Sequence, residues 1–345
     1  MKRIGKLSSL FLLTGLLFAL VDANAQNNVD AKGRKQGRWS KTYSDGKLKY
    51  EGEFKDDCEV GDFKYYNKDG SLKEKISYKG DCKTGYCEVY YRKGQVMSSG
   101  EYINKKKNGV WSYYSVDGKL LSKETYKEGL KEGEETIWDT KGNVLEKINY
   151  KKGKKNGENY KFLYAEGFQT YTYVDDVKEG AYRNYYSDKH PRIEGQYSSG
   201  KKNGVWTYTD QAKRKMRVQV WKADVLISDK IILRLRDKER GIAAEEIVCL
   251  YPLGKQTCVV LSSGEKLTCF NSYDQILDCT DGNYLIRLNE KNNLYVNPNA
   301  VKSVKENTDG QAEVITEPKT DIKIIADKEG LKAVHSVLNK AKIGK

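Results

Sequence analysis

Gly109-Val-Trp-Ser-Tyr-Tyr-Ser-Val-Asp-Gly-Lys-Leu120 is the stretch whose reading decides the fold of this chain. Val110 to Tyr114 carries the β-branched and aromatic residues that suit a pleated, half-buried surface. Asp117-Gly118 marks a tight reversal, because glycine takes positive φ at little steric cost. Lys119 to Tyr126 then runs back as a second strand, so the stretch reads as a β-hairpin.

The same hairpin recurs on both sides. Glycines stand at Gly37, Gly61, Gly85, Gly109, Gly133, Gly157, Gly180 and Gly204, spaced by 24 residues with one gap of 23. Two residues after many of them comes an aromatic: Trp39, Phe63, Trp111, Tyr182, Trp206. Further aromatics follow near the fifth place, and again at the seventeenth, as in Phe54, Tyr78, Tyr102, Tyr126 and Tyr150. A turn glycine holds the ninth place at Gly46, Gly70, Gly94, Gly118 and Gly142. One hairpin alone is marginal in water, so stability must arise between stacked repeats that share their aromatic columns. The expectation is an all-β chain: an elongated antiparallel sheet of eight β-hairpin repeats of about 24 residues, roughly 75 Å long at two strands per repeat. Two repeats depart from the pattern, one with Ala165-Glu166-Gly167 at its turn and one with Lys189-His190-Pro191, and a bend or an altered loop is expected there. Gly204 to Ile227 reads as a degraded closing repeat.

The pattern G-x-W-x-x-Y-x-x-x-G-x-L, with return strands such as Gly100-Glu-Tyr102 and Gly195-Gln-Tyr197, resembles the bacterial variant of the MORN repeat over residues 33–227. That resemblance implies single-layer β-hairpin arrays used for interaction, sometimes at membranes. The eight repeat glycines and Trp39, Trp111 and Trp206 are the structural positions it marks.

Before the repeats, Lys2, Arg3 and Lys6 precede an apolar run from Leu10 to Val21 and a small-x-small motif, Ala23-Asn24-Ala25. This reads as a cleavable signal over residues 1–25, cut before Gln26. The mature protein is therefore expected in the periplasm, or associated with the outer membrane or cell surface. The formal charge of +14 includes three positive residues of the signal. What remains is a solvated surface of mixed sign, or one drawn to an acidic envelope partner.

From about Val225 the composition shifts from Tyr and Gly toward Ile, Leu and Val. A small all-β module is expected over 228–305, with strands at 230–236, 247–251, 256–261, 266–270, 284–288 and 294–296 and a short helix near 272–277. Residues 306–322 read as a polar linker, and 323–345 as a strand and helix tail with the helix over 328–342. The strand pattern from Gly241 to Val301 is similar to that of LytTR domains, which bind DNA. In that family a basic loop before the Val-Asn pair contributes to DNA contact. Here the loop is Asn289-Glu-Lys-Asn-Asn293, with neither a His nor an Arg cluster, and export removes DNA from reach, so nucleic acid is not an expected partner.

Seven cysteines in an exported chain point to disulfides. Cys58 and Cys82 hold equivalent places in successive repeats, which sets them about 10 Å apart and out of bonding range. Cys82 and Cys87 span one turn, Cys87 standing where Trp39 and Trp111 stand elsewhere, and a Cys82–Cys87 bond is expected. The turns at Leu253-Gly254 and Ser263-Gly264 would set Cys258 opposite both Cys249 and Cys269. The pairing of Cys58, Cys249, Cys258, Cys269 and Cys279 stays open on sequence.

Neither His190 nor His335 has a nucleophile at motif spacing, and Glu134-Glu135 and Asp175-Asp176 point to opposite sides of a strand. The glycines are explained by turns, so no phosphate-binding loop is read. No catalytic, cofactor or metal residues are expected. The function expected is a non-catalytic scaffold that binds a protein or an acidic envelope polymer through the repeat sheet. The alternatives are peripheral association with an anionic membrane surface and, less favoured, an enzyme in the C-terminal module.

Overall fold

The computed structural model describes residues 27–280, 285–289, 291–306, 312–317 and 324–343, with helix side chains as far as Ser336. The expected signal, residues 1–25, lies outside them. The chain divides into two bodies, one ending at Lys154 and one beginning at Lys155.

The first body is an antiparallel run of ten main strands: β1 Lys35–Thr42, β2 Leu48–Lys55, β3 Cys58–Tyr66, β4 Leu72–Lys79, β5 Thr84–Tyr90, β6 Val96–Ile103, β7 Lys106–Tyr114, β8 Leu120–Lys127, β9 Gly133–Trp138 and β10 Val144–Lys151. Each pairs with the next, as Trp39 with Gly52, Phe63 with Ile76, Cys87 with Gly100 and Trp111 with Glu124. Hairpins close as Asp117-Gly118 predicts: Gly118 sits at φ 75 and its N–H donates to the Ser115 carbonyl. Most hairpin-to-hairpin links reverse in two residues, both at positive φ, as at Asn104 and Lys105; the link between β4 and β5 takes four, 80–83, with Gly80 and Cys82 at positive φ. That is the turn geometry that matches strand twist. Seven of the eight repeat glycines take positive φ; Gly85 does not, and the β4–β5 ladder beside it runs without a bulge.

The second body opens with the same architecture: β11 Gly157–Phe162, β12 Phe168–Val174, β13 Val177–Tyr185, β14 Pro191–Ser198, β15 Lys201–Thr209, β16 Lys215–Lys222, β17 Val225–Arg234 and β18 Glu239–Ile242. The two irregular repeats stay paired hairpins with altered loops. One reverses through a 3-10 turn, Tyr164–Glu166, and the other puts Lys189 at φ 70 where glycine usually stands. Strand β17 pairs with β16 from Val225 to Ile231 and with β18 from Ile231 to Arg234.

After it come β19 Ile247–Leu253, β20 Gln256–Leu261, β21 Lys266–Cys269, α1 Tyr273–Asp278, β22 Ile286–Asn289 and β23 Leu294–Val296, in a five-stranded sheet ordered β21-β20-β19-β23-β22. A second sheet of β24 Val301–Glu306, β25 Ala312–Thr316 and β26 Ile324–Ala326 precedes α2 Lys328–Ile343. Met216, Ile231, Leu233 and Ile242 share one core with Ile247, Leu250, Val259 and Ile276. Leu288, Val296, Val314, Ile324 and Val334 form another. The expected linker, 306–322, contains strand β25. Ala312, Val314 and Thr316 alternate into the core while Glu313 and Ile315 stay partly exposed, a period-two pattern masked by its polar flanks.

The expected Cys82–Cys87 bond is corrected: Cys58 bonds Cys82, with Cα atoms 4.9 Å apart, and Cys87 is free. The two-strand spacing holds along the ladder but not at its looped edge. There each turn folds onto the opening strand of the repeat before it, as where Asp57 N–H donates to the Lys35 carbonyl and Asn104 N–H to that of Lys83. Cys82, at φ 60 in such a turn, is carried onto Cys58. The expected alignment of Cys258 is also shifted. Cys258 faces Tyr251 and Thr268, whereas Cys249 faces Val260 and Cys269 faces Thr257. Cys249, Cys258, Cys269 and Cys279 are all buried thiols.

Candidate functional site

Strand alternation puts the ring at the second place of each repeat and the ring at the seventeenth on one face. Phe63 lies edge-on between Phe54 at 5.1 Å and Tyr78 at 5.4 Å; Trp111 lies 4.9 Å from Tyr102. In the second body Trp206 lies 5.3 Å from Tyr197. These centroid distances suit attractive edge-to-face pairs. Phe63, Trp111 and Trp206 are almost fully buried.

The cover is lysine. A Lys stands two residues before seven of the eight repeat glycines: Lys35, Lys83, Lys107, Lys131, Lys155, Lys178 and Lys202. Lys107 Nζ lies 4.3 Å from the Trp111 ring and 5.0 Å from Tyr126, and donates to the Tyr113 hydroxyl at 2.7 Å. Lys35 sits over Trp39 and Phe54, Lys178 over Tyr197, and Lys202 over Trp206 and Trp221. Burial holds the Lys107 ammonium below its ordinary pKa. The aliphatic stems seal the rings and the ammonium groups stay at the water boundary. The sequence reading did not single out these lysines; their fixed place before each repeat glycine was the available signal.

The ring column is interrupted twice in the first body. At Glu135 the ring is replaced by charge. Lys131 Nζ bridges Glu124 at 3.0 Å and Glu135 at 2.9 Å, and Tyr126 donates to Glu124. Burial raises the Glu124 carboxyl, but hydrogen bonds from Tyr126, Lys131 and Tyr113 outweigh it and leave the pKa lowered.

At Cys87 the ring is simply missing. Cys87 is fully buried, and its thiol donates to Glu74 at 3.1 Å. Burial, with Glu74 beside it, pushes that thiol well above its ordinary pKa, so it is a poor nucleophile. A hollow of about 290 Å³ opens beside Ile76, the cross-strand neighbour of Cys87, and is lined as well by Tyr65, Tyr78, Tyr102, Glu59, Cys82, Lys83 and Lys105. Lys83 is exposed and has no ring at position 87 to cover.

Trp39, Trp111 and Trp206 thus all belong to the ring face, and the repeat glycines shape its edge. His190 is buried in its loop, its Nδ1 2.6 Å from Asp188 and its ring 4.7 Å from Tyr186. Glu134 and Glu135 face opposite sides, bonded to Lys147 and Lys131. Among the described residues no group of three His, Cys, Asp or Glu side chains is gathered as metal ligands would be, and no helix is long and apolar enough to cross a membrane.

Residues 35–56, 59–79, 83–104, 107–128 and 131–152 match the MORN repeat variant, five consecutive copies that fill the first body. This repeat is a non-enzymatic module. The sequence matches no curated protein. Among solved structures, the LytTr DNA-binding domain of a methyl-accepting/DNA response regulator from Bacillus cereus aligns over 32% of this chain and 95% of that one, at 15% identity and a TM-score of 0.27.

Proposed function

We propose that the chain is a non-catalytic interaction scaffold, working outside the cytoplasm, that meets a protein or an acidic envelope polymer through its repeat sheets. The observation that carries this reading is the lysine-covered ring face. Aromatic rings and cationic heads are the residues that anchor interfaces, and here they repeat at a fixed interval along the sequence. MORN repeats are in general protein- and membrane-binding modules. The Cys58–Cys82 bond supports an oxidising compartment. The array, 33–227, is the binding part in this reading, and the C-terminal module closes its end.

The test is capture from envelope extract on the immobilised mature chain. Retention of a defined partner that soluble acidic polymer competes away supports the polymer version. Retention indifferent to polymer supports the protein version, and no retention of either removes the reading. N-terminal sequencing of exported protein should begin at Gln26; an intact leader on protein kept inside the cell would remove the export part.

Peripheral binding to an anionic membrane is the second reading, favoured by the exposed lysines of the links, such as Lys105, Lys106, Lys151 and Lys152. Such binding must weaken steeply with ionic strength. Phosphatidylglycerol vesicles that fail to sediment the protein even at low salt would dismiss it.

A further inference from the structure

We infer that the hollow beside Cys87 is a socket for an aromatic side chain, Trp or Tyr, presented by a partner polypeptide next to an acidic residue. The repeat's own geometry gives the shape. Phe63 occupies the gap between the seventeenth-place rings of its own repeat and the one before it, Tyr78 and Phe54. A ring at position 87 would occupy the next such gap, between Tyr78 and Tyr102. Those two tyrosines line the hollow, with Ile76, the cross-strand neighbour of Cys87, as its apolar floor.

The volume selects the size of the guest. At about 290 Å³ the hollow falls at the bottom of the range for small-molecule sites, enough for one side-chain ring rather than a larger ligand. The lysines select its chemistry. Lys107 caps Trp111 from four residues upstream, and Lys202 caps Trp206 in the same way. Lys83 holds that place for Cys87, exposed, and Lys105 stands at the same margin. Neither ammonium makes an ion pair among the described residues. An incoming ring would complete the column and gain a cation over its face, and a carboxylate beside it would meet the lysines. The Glu59 carboxylate in the lining offers an acceptor for an indole N–H or phenol O–H.

Filling the socket from within tests the idea. Glycines stand eleven residues before Phe63, Trp111 and Trp206, where a Cβ would collide with the ring; Ile76 holds that place for Cys87. The double variant Ile76→Gly, Cys87→Trp therefore restores the pattern of the neighbouring repeats, and its fold is checked by circular dichroism and thermal unfolding. The probes are N-acetyl-tryptophan, its neutral amide and N-acetyl-leucine, followed by NMR of the full mature chain. Saturable shifts at Ile76 and at the Tyr78 and Tyr102 rings are expected with N-acetyl-tryptophan. Binding should be about tenfold weaker for the leucine compound and lost in the folded double variant. Lys83→Gln with Lys105→Gln should abolish the preference for acid over amide. No saturable shift, shifts that persist in the filled variant, or tighter binding of a neutral tetrasaccharide than of the indole each overturn the assignment.

The inference rests on the scaffold reading only for the source of the ring. If envelope partners bind the filled variant as well as the parent, the socket is not where they dock, and the scaffold reading stands without it. If nothing is captured yet the indole binds the parent alone, the socket stands and the scaffold reading falls.

Discussion

Gly100 lies directly against the face of the Trp111 indole: a Cβ at residue 100 would fall well under 3 Å from the ring atoms. Gly52 stands in the same relation to Phe63, and Gly195 to Trp206. The backbone of one hairpin is thus the wall on which the ring of the next one rests. Gly100→Ala should cost about 1–3 kcal/mol, the usual range for overpacking a filled core, read as a lowered urea midpoint. The paired change Gly100→Ile with Trp111→Cys copies the natural Ile76–Cys87 pair. It should recover stability relative to Gly100→Ile alone, and a strictly additive double-mutant cycle would refute the coupling.

That relation also marks the limit of what could be read in the sequence. The 24-residue glycine period, the turn at Asp117-Gly118 and the ring columns were legible because each is a local requirement repeated in register. The glycine-to-ring pairing links residues eleven apart on adjacent strands, where a bulge near Gly109 shifts the count, so it shows only once strands are aligned. The Cys58–Cys82 bond was missed for a related reason. Strand spacing is a property of the ladder, whereas the bond forms in the turns that fold back at its edge. The hollow could have been suspected from Cys87 in a ring column, but its vacancy depends on whether Tyr78 and Tyr102 close over it, which packing alone decides.

The disulfide closes a loop of 24 residues. By the chain-entropy account a loop of this size is worth about 3 kcal/mol. Cys58→Ser with Cys82→Ser should lower stability by that order, most visibly as protease sensitivity of the turns at residues 56–57 and 80–83. A thiol titration should find the other five cysteines unreactive in the native chain and five reactive thiols after denaturation. Seven reactive thiols in the denatured, unreduced protein would contradict the bond.

The Glu124–Lys131–Glu135 cluster gives stability a pH signature on both sides of neutrality. The folded chain holds Glu124 below its ordinary 4.5, so its contribution is present above that value and is lost as pH falls through the lower folded value. Burial opposes charge on Lys131, but the hydrogen bonds it donates to Glu135 and Glu124 overcome that and raise its pKa above the ordinary 10.5. Its contribution is therefore present below 10.5 and disappears as pH rises through the folded value. Lys131→Met leaves Glu135 buried and Glu124 half-buried with no cation between them, at a cost of about 2 kcal/mol near neutrality. The variant should gain stability as pH falls toward 4, opposite in sign to the parent. Parallel pH profiles for the two proteins would show that the lysine does not hold the cluster together.

The end of the repeats is not free to stand alone. Ile231 and Leu233 on β17 are almost wholly buried, and Leu233 shares a core with Ile247, Leu250, Val259 and Ile276 from the module that follows. Polar contacts tie the same surfaces: Arg234 donates to the Phe270 carbonyl and the Gln275 side chain, and Gln275 donates to Asp210 in the last repeat turn. A cut at residue 227 falls inside β17 and leaves Met216 on β16 without the Cys279 and Ile231 side of its core. A fragment ending there should bind a hydrophobic dye and self-associate, while one carried through the second core to residue 343 should do so far less. Removing several nearly buried aliphatic side chains from cover exposes about 1.5–3 kcal/mol of burial for each, more than one closing repeat can supply. Equal monodispersity of the two fragments by light scattering would show that the repeats end in a self-sufficient cap.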